Sequence, residues 1–450
     1  MNATLRLQLI QPASSDSAPL PGLSLASLAG LTPPDVSVSF TDDSLQPIDL
    51  DGDLGQPDLV GITCSSKNAA RAYAIADAYA ERGIPVVLGG VHPTARPEEA
   101  RQKADAVVAG EAEGVWPKLL DDFRRGRLEP VYSRSTWADL ASLPPARRSI
   151  YPERAYLPLG MVQATRGCPH LCEFCSVRRF FGGTYRYRPL EDVLTEVKGL
   201  KHSTFLFVDD NIVGHASYSR NLFQGLMPLK KRWFGQASLT VLDDLPLLEL
   251  MVKSGCKGLL LGVETVSEEG IRGARKFQNK PAHYKRTIEN LQRKGIAVWG
   301  SFIFGLDQDG PDIFERCVRF AIDSKLYTAV FAVLTPYPGT PLFERLESEN
   351  RLTEPAWWLS EDPERNSPFF YPARMTRGEL FEGWQWAWKE FYSYASIARR
   401  FQWDYPPTIA NKLVYFPFNL IQHRFVKKKI LSGQRLRWSK YPWSLKRQAG

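Results

Sequence analysis

Three thiols stand within eight residues of this chain, Cys168-x-x-x-Cys172-x-x-Cys175, and only Cys64, Cys256 and Cys317 lie elsewhere. Three thiolates leave one iron of a cubic iron-sulfur cluster without a protein ligand, and an open iron can bind and cleave a small molecule. Zinc is the rival metal, with His170 or His202 as a conceivable fourth ligand. Structural zinc sites usually draw two ligand pairs from separated knuckles, and no second pair exists here. The spacing therefore favours an open redox cluster on Cys168, Cys172 and Cys175. The three scattered cysteines read as buried small hydrophobes.

A second group of candidates follows short apolar runs in the first third of the chain: Thr63-Cys64-Ser65-Ser66, Gly89-Gly90-Val91-His92-Pro93-Thr94 and Gly110-Glu111. Small and hydroxylated residues let a flat or phosphate-bearing ligand approach the backbone closely. The plain alternative is a turn after a buried strand.

These candidates need a scaffold. Residues 1–126 alternate apolar runs (5–10, 36–40, 59–63, 85–90, 105–108) with helical stretches at 69–82 and after Pro97, the pattern of a doubly wound parallel sheet whose ligands sit at the strands' carboxyl ends. Residues 127–157, with Pro144-Pro145 and Arg147-Arg148, read as a linker. Six strand-helix units follow within 158–345, with strands expected at 161–164, 204–208, 233–237, 258–262, 298–304 and 327–333. That rhythm predicts a partial (β/α)6 barrel with its active site at the carboxyl ends, and the cysteine trio falls directly after the first strand. Residues 346–450 carry tryptophan clusters and then become basic, reading as a small helical cap and a tail. The fold class is thus α/β, two parallel-sheet domains followed by a helical region.

A chain of 450 residues that is 44% hydrophobic has room for two or three cores. Neither a signal-peptide pattern nor an apolar run of about 18 residues occurs, so a cytoplasmic protein is expected, and six cysteines in such a chain do not form a disulfide framework. The net charge of +8 belongs to the tail, because ten of the 57 lysines and arginines follow Asp404 and no acidic residue does. Residues 413–431 mix large apolar side chains with cations, and Pro417 is expected to break or start a helix. Peripheral contact with the inner membrane face is the preferred reading, ahead of RNA, with a solvated tail as the plain alternative.

The segment Thr165-Arg-Gly-Cys-Pro-His-Leu-Cys-Glu-Phe-Cys175 resembles the radical S-adenosylmethionine signature. The resemblance implies a 4Fe-4S cluster whose open iron binds the methionine end of S-adenosylmethionine, and a one-electron cleavage to methionine and a 5'-deoxyadenosyl radical. Phe207-Val-Asp-Asp-Asn211 stands where the family carries Gly-Gly-Glu, Gly262-Val-Glu-Thr265 resembles its Gly-x-Glu-Ser segment, and Gly300-Ser-Phe-Ile-Phe-Gly305 resembles the segment beside the adenine. On that basis Asp209, Asp210, Gln236, Glu264 and Ile303 contact S-adenosylmethionine, and Phe174 either packs on the adenine or shields the cluster.

The upstream domain resembles the cobalamin-binding subclass, which includes methylases and cyclases of tetrapyrrole and hopanoid pathways; the likeness covers about residues 4–400. It implies that Thr63, Ser65, Gly89, Gly90, Gly110 and Glu111 line the cobalamin side. No Asp-x-His-x-x-Gly motif supplies an axial histidine, and His92 either contacts the cofactor or caps a loop. A methylthiotransferase would need more cysteines ahead of Cys168 than Cys64 alone. The function implied is cobalamin-dependent methylation of an unactivated carbon on a hydrophobic substrate, such as an isoprenoid, hopanoid or tetrapyrrole, with flavodoxin or ferredoxin as electron donor. The alternatives are oxidative cyclisation or rearrangement on the same cofactors, and an RNA-binding or redox-sensing iron-sulfur protein.

Overall fold

The computed structural model describes residues 4–14, 20–152, 155–240, 244–360, 368–402 and 409–430. Six parallel strands form the first sheet: β1 (Leu5–Gln11), β2 (Val36–Asp42), β3 (Leu59–Thr63), β4 (Val86–Gly89), β5 (Ala106–Ala109) and β6 (Val131–Ser133), in the order β2-β1-β3-β4-β5-β6. The central strands are apolar throughout because both faces are covered. Helices Leu23–Leu31 and Trp116–Arg124 pack on one face and helix Ala69–Ala80 on the other. The chain leaves β1 toward opposite edges to reach β2 and β3, which opens a crevice at the carboxyl ends.

The stretch expected to be a linker, 127–157, behaves otherwise. It supplies β6, paired with β5 from Val107↔Val131 to Ala109↔Ser133, and it packs on the first domain through a bond from the Arg147 amide to the Ala26 carbonyl of 2.8 Å. Three residues among arginines and prolines are too few for a strand pattern to show in sequence.

The second sheet is also parallel, in the order β14-β13-β12-β11-β10-β7. Its strands are β7 (Gly160–Val162), β10 (Thr204–Phe207), β11 (Arg232–Ala237), β12 (Cys256–Glu264), β13 (Ala297–Phe304) and β14 (Thr328–Val333), each joined to the next through a helix. Between β7 and β10 a two-stranded antiparallel ribbon, β8 (Thr165–Arg166) with β9 (Arg186–Tyr187), brackets the cysteine loop. Alternation along β13 puts Val298, Gly300, Phe302 and Phe304 in the core while Trp299, Ser301 and Ile303 face the half-open interior. This is the expected partial barrel.

An open barrel leaves an edge strand whose backbone groups need partners. Helix Arg377–Phe391 covers β14: the indoles of Trp384 and Trp388 both donate to the Phe331 carbonyl at 2.8 Å, and the Tyr392 hydroxyl donates to the Ala329 carbonyl at 2.8 Å. The tryptophan-rich stretch therefore closes the sheet. Helix Pro341–Ser348 and the turn at Trp357–Leu359 join the domains, since Phe343, Trp357 and Trp358 are buried in the first domain's core.

Helix Ile409–Phe425 continues through Pro417, where a helix was expected to break or start. Its buried side holds it against the barrel: the Tyr415 hydroxyl donates to the Ile397 carbonyl at 2.9 Å and the Asn419 amide to the Tyr327 carbonyl at 3.2 Å. These contacts outweigh the roughly 3 kcal/mol that an interior proline costs. The basic tail from residue 431 onward lies outside the described residues. No described helix is long and apolar enough to cross a membrane.

Candidate active site

The cysteine loop is shaped by its backbone. Gly167 sits at φ +86°, and a Cβ there would lie 2.2 Å from the Thr184 carbonyl oxygen, so only glycine lets the loop leave β8 beneath that strand pair. The Cys168 amide donates to the Gly182 carbonyl at 3.2 Å and the Cys175 amide to the Cys172 carbonyl at 3.2 Å. Glu173 turns away from the thiols and pairs with Arg345 at 3.0 Å. All three thiols are half-buried and none is in a disulfide. Burial pushes Cys175 up to about 12 and Cys172 upward as well, with the Lys276 ammonium opposing the rise at Cys172.

Among the described residues no three such ligands gather round a single ion. A cube takes each thiolate on a different iron, so the donor set, three free thiols on one glycine-bent loop, fits a 4Fe-4S cluster.

The expected partners stand on consecutive strand ends, with different duties. Asp209 is fully buried and spent on the backbone: it accepts from the Ala164 amide at 3.1 Å, the Thr165 hydroxyl at 2.7 Å and the Thr165 amide. Burial raises it to about 6 despite those bonds. It positions the start of the cysteine loop instead of facing a ligand. Asp210, also raised to about 6 by burial, has no side-chain partner among the described residues and lies close enough to Cys175 to influence it. Gln236 is exposed on the interior face of β11, and Ile303 and Phe174 pack against the edge of the barrel core.

Glu264 adopts φ +62°, rare for a side chain with a Cβ, at a register shift between β12 and β13. It forms a buried ion pair with Lys276. Burial alone would depress that ammonium, but Glu264, and Cys172 when it is a thiolate, more than offset it and hold it charged. A fixed cation and a carboxylate beside the thiols suit the carboxylate and amino groups of an amino-acid moiety. Lys276 is a residue that sequence reading missed, because nothing in its neighbourhood marks it as buried. Tyr185 is another: its hydroxyl reaches the Cys168 thiol and accepts from Asn211 at 2.8 Å, in space that Gly214 leaves open.

The carboxyl ends of the first sheet face this loop across a cleft of about 360 Å³. Thr63, Gly89, Gly90 and Gly110 line it, with Leu25, Leu28 and Trp116 deeper in and Gln163, Arg166, Phe180 and Phe181 closing it from the barrel side. Gly90 (φ +112°) packs against Cys64, where a Cβ would approach the carbonyl oxygen to 2.6 Å. Gly110 keeps the space beside it clear. Such a glycine-floored, mostly apolar cradle fits a large flat cofactor.

Three other expected contacts have side chains spent on other partners. His92 is fully buried behind the sheet with both ring nitrogens engaged, Nδ1 with Ser66 at 3.0 Å and Nε2 with Glu99 at 3.1 Å, so it does not reach the cleft. Ser65 is spent on a capping box with Asn68 and is absent from the cleft wall. Glu111 touches the cleft, but its carboxylate accepts from Arg166 at 3.0 Å, from Arg186 at 2.8 and 3.0 Å and from the Ala138 amide at 2.8 Å. Burial would raise it; Arg186, the Ala138 amide and Arg166 outweigh that and hold it below its ordinary range. This cluster clamps the first domain to both strands of the ribbon that brackets the cysteines. Arg166 was visible in the signature itself, whereas Arg186 carried no signal.

A sheet of the flavodoxin order set against a half-barrel with three thiols on its first loop defines a two-cofactor redox enzyme. Comparison with known proteins is specific: the radical SAM superfamily profile matches residues 162–321, the B12 binding domain profile residues 34–120, and a domain of unknown function (DUF4070) residues 340–412. The chain is 31% identical over 437 residues to the bacteriochlorophyllide d C-12(1)-methyltransferase of Chlorobaculum tepidum, covering 93% of each. It is 25% identical to the hopanoid C-2 methylase of Rhodopseudomonas palustris, over 88% of this chain and 75% of that one. Its fold matches the cobalamin-dependent S-adenosylmethionine radical enzyme OxsB, solved with aqua-cobalamin and S-adenosylmethionine, with a TM-score of 0.67 at 14% identity over 94% of this chain and 72% of that one. The chain belongs to the cobalamin-dependent radical S-adenosylmethionine methyltransferase family, whose cofactors are the 4Fe-4S cluster, S-adenosylmethionine and cobalamin.

Proposed function

We propose that this enzyme methylates an unactivated carbon of a tetrapyrrole-type substrate in the space between the cleft and the cysteine loop. The observation that carries the reading is the single cleft shared by the glycine-lined strand ends of the first sheet and by Arg166, Phe180 and Phe181 beside the thiols. The likeness to a bacteriochlorophyllide methyltransferase over nearly the whole chain supports a tetrapyrrole ahead of a hopanoid. When bound, the cofactors supply a carbon-centred radical and a transferable methyl group. The protein's part is geometric: Cys168, Cys172 and Cys175 hold the cluster, Asp209 fixes the loop that bears them, and Lys276, Glu264, Asp210 and Gln236 orient S-adenosylmethionine. Thr63, Gly89, Gly90 and Gly110 seat cobalamin, and the Glu111 clamp sets the separation between the two cofactors.

The same reading includes a low-potential electron donor and contact with a membrane surface. Val414, Phe416 and Leu420 are exposed on the last helix, with Arg424, Lys427 and Lys428 following them, as an interfacial segment requires. The test is anaerobic turnover of reconstituted protein with methyl-labelled S-adenosylmethionine and a bacteriochlorophyllide. The expected result is 5'-deoxyadenosine together with label in the chlorin. Deoxyadenosine without transferred label would overturn methylation, and unchanged liposome association after deletion of 405–450 would remove the membrane contact.

A further inference from the structure

Residues 268–286 wrap the outer side of the cysteine loop. The Glu173 amide donates to the Ala274 carbonyl at 3.2 Å, and the Gln278 side-chain amide contacts the Cys172 sulfur at 3.7 Å. From this wrapping segment Arg272, Arg275 and Lys280 extend as exposed cations, and none has a side-chain partner among the described residues. Phe277 stands among them, 63% exposed, an unusual position for so large an apolar ring. Its neighbour Lys276 turns inward to Glu264, whereas Phe277 and the three cations are exposed. Glu268 and Glu269 lie at the far end of helix Glu268–Gly273, and exposed Lys285 continues the basic face beyond it.

We propose that this face is the docking surface for an acidic, one-electron-carrying protein, and that Phe277 and Gln278 form its short route to Cys172. The inference rests on the reading that the cluster serves a radical enzyme, which needs an external electron for each cleavage. One electron leaves the carrier, a flavin hydroquinone that becomes a semiquinone, and the oxidised 4Fe-4S cluster gains it; no bond forms or breaks between the proteins. The opposite side of the cysteine loop faces the cleft and the barrel interior, which the cofactors and substrate must fill. Charge complementarity fits the speed such an encounter needs: a ring of cations steers an acidic partner, and a small apolar centre gives a weak contact that releases quickly.

The test uses full-length reconstituted holoenzyme with flavodoxin hydroquinone as the carrier and reduced methyl viologen, a small cation, as the control reductant. Two readouts are taken: the affinity of oxidised flavodoxin for the enzyme by calorimetry, and the rate of cluster bleaching after rapid mixing. The Arg272→Glu/Arg275→Glu/Lys280→Glu variant should weaken binding at least tenfold and slow reduction by flavodoxin roughly 100-fold at low salt. Its reduction by methyl viologen and its deoxyadenosine yield with that reductant should match the parent enzyme. Phe277→Ser should weaken binding while leaving the salt dependence intact. Unchanged flavodoxin affinity in the triple variant would overturn the assignment, as would an equal loss with methyl viologen, which would make the patch part of the fold or of substrate binding. Absence of deoxyadenosine from the parent enzyme would count against the radical reading instead, and the calorimetry would still decide the docking surface.

Discussion

Replacing Glu111 by alanine should damage this enzyme twice, through one clamp. The substitution removes four acceptor contacts from a carboxylate that is almost wholly buried, and it strips Arg186 of its only carboxylate partner among the described residues. Breaking a buried ion pair by deleting one side costs about 3–5 kcal/mol. Arg166 keeps Glu113, and Arg186 keeps the carbonyls of Ala138 and Phe181 at 2.9 Å, so the lower end, about 3 kcal/mol, is expected. Urea unfolding of the protein measures it. Adding Arg186→Met to the alanine variant should recover a substantial part of the loss, because the stranded charge goes with its partner. The pH dependence has a fixed sign: a carboxylate held below its ordinary range stabilises the fold above that range and loses its effect as pH falls through the depressed value. The alanine variant should therefore show a shallower acid limb than the parent. The second effect is catalytic. Loosening the clamp moves the glycine-lined cleft relative to the cysteine loop, and a displacement near 1 Å costs on the order of 100-fold in a positioned reaction. The ratio of methylated product to 5'-deoxyadenosine should fall by about tenfold or more while deoxyadenosine itself persists. Stability within about 0.5 kcal/mol of the parent together with an unchanged product ratio would refute the clamp.

Gly167→Ala should yield folded protein with little iron, because the added Cβ meets the Thr184 carbonyl at 2.2 Å; iron and sulfide analysis after reconstitution checks this, and full loading would show that the loop adapts. Asp309 is buried, accepts from the Gly305 and Leu306 amides at 3.0 Å, and is raised by burial to about 7 while its Oδ1 has no donor. A raised pKa means that stability is full below the ordinary carboxylate value of 3.8 and drains as pH rises from there through about 7, so Asp309→Asn should raise the melting temperature most at pH 8, less at pH 5 and hardly at all at about pH 3. Trp384→Phe and Trp388→Phe should each cost under about 1 kcal/mol, since the other indole still serves the Phe331 carbonyl, whereas the double variant should cost about 2–3 kcal/mol by leaving it bare; additive costs would refute the shared acceptor.

Much of this enzyme is legible before folding is considered. The thiol spacing is local, because a single loop carries all three thiols, so it survives in the order of residues alone. The alternation of short apolar runs with helices is also local, and it foretold both parallel sheets nearly strand for strand. What depended on long-range pairing was hidden: β6 is three residues added to a distant edge, and the helix through Pro417 persists only because the barrel holds it.

The division runs through the site as well. Sequence by itself determined which residues stand on each strand end, since a strand's carboxyl end is a matter of where its apolar run stops. Only the tertiary structure decided where those side chains point. It buried His92 against Glu99, turned Asp209 onto the backbone of Thr165 and drew Glu111 into a clamp with Arg166 and Arg186. It also brought Lys276 to the thiols. A buried polar group must find a partner within about 3 Å, and partners at that distance come from elements that are remote along the chain.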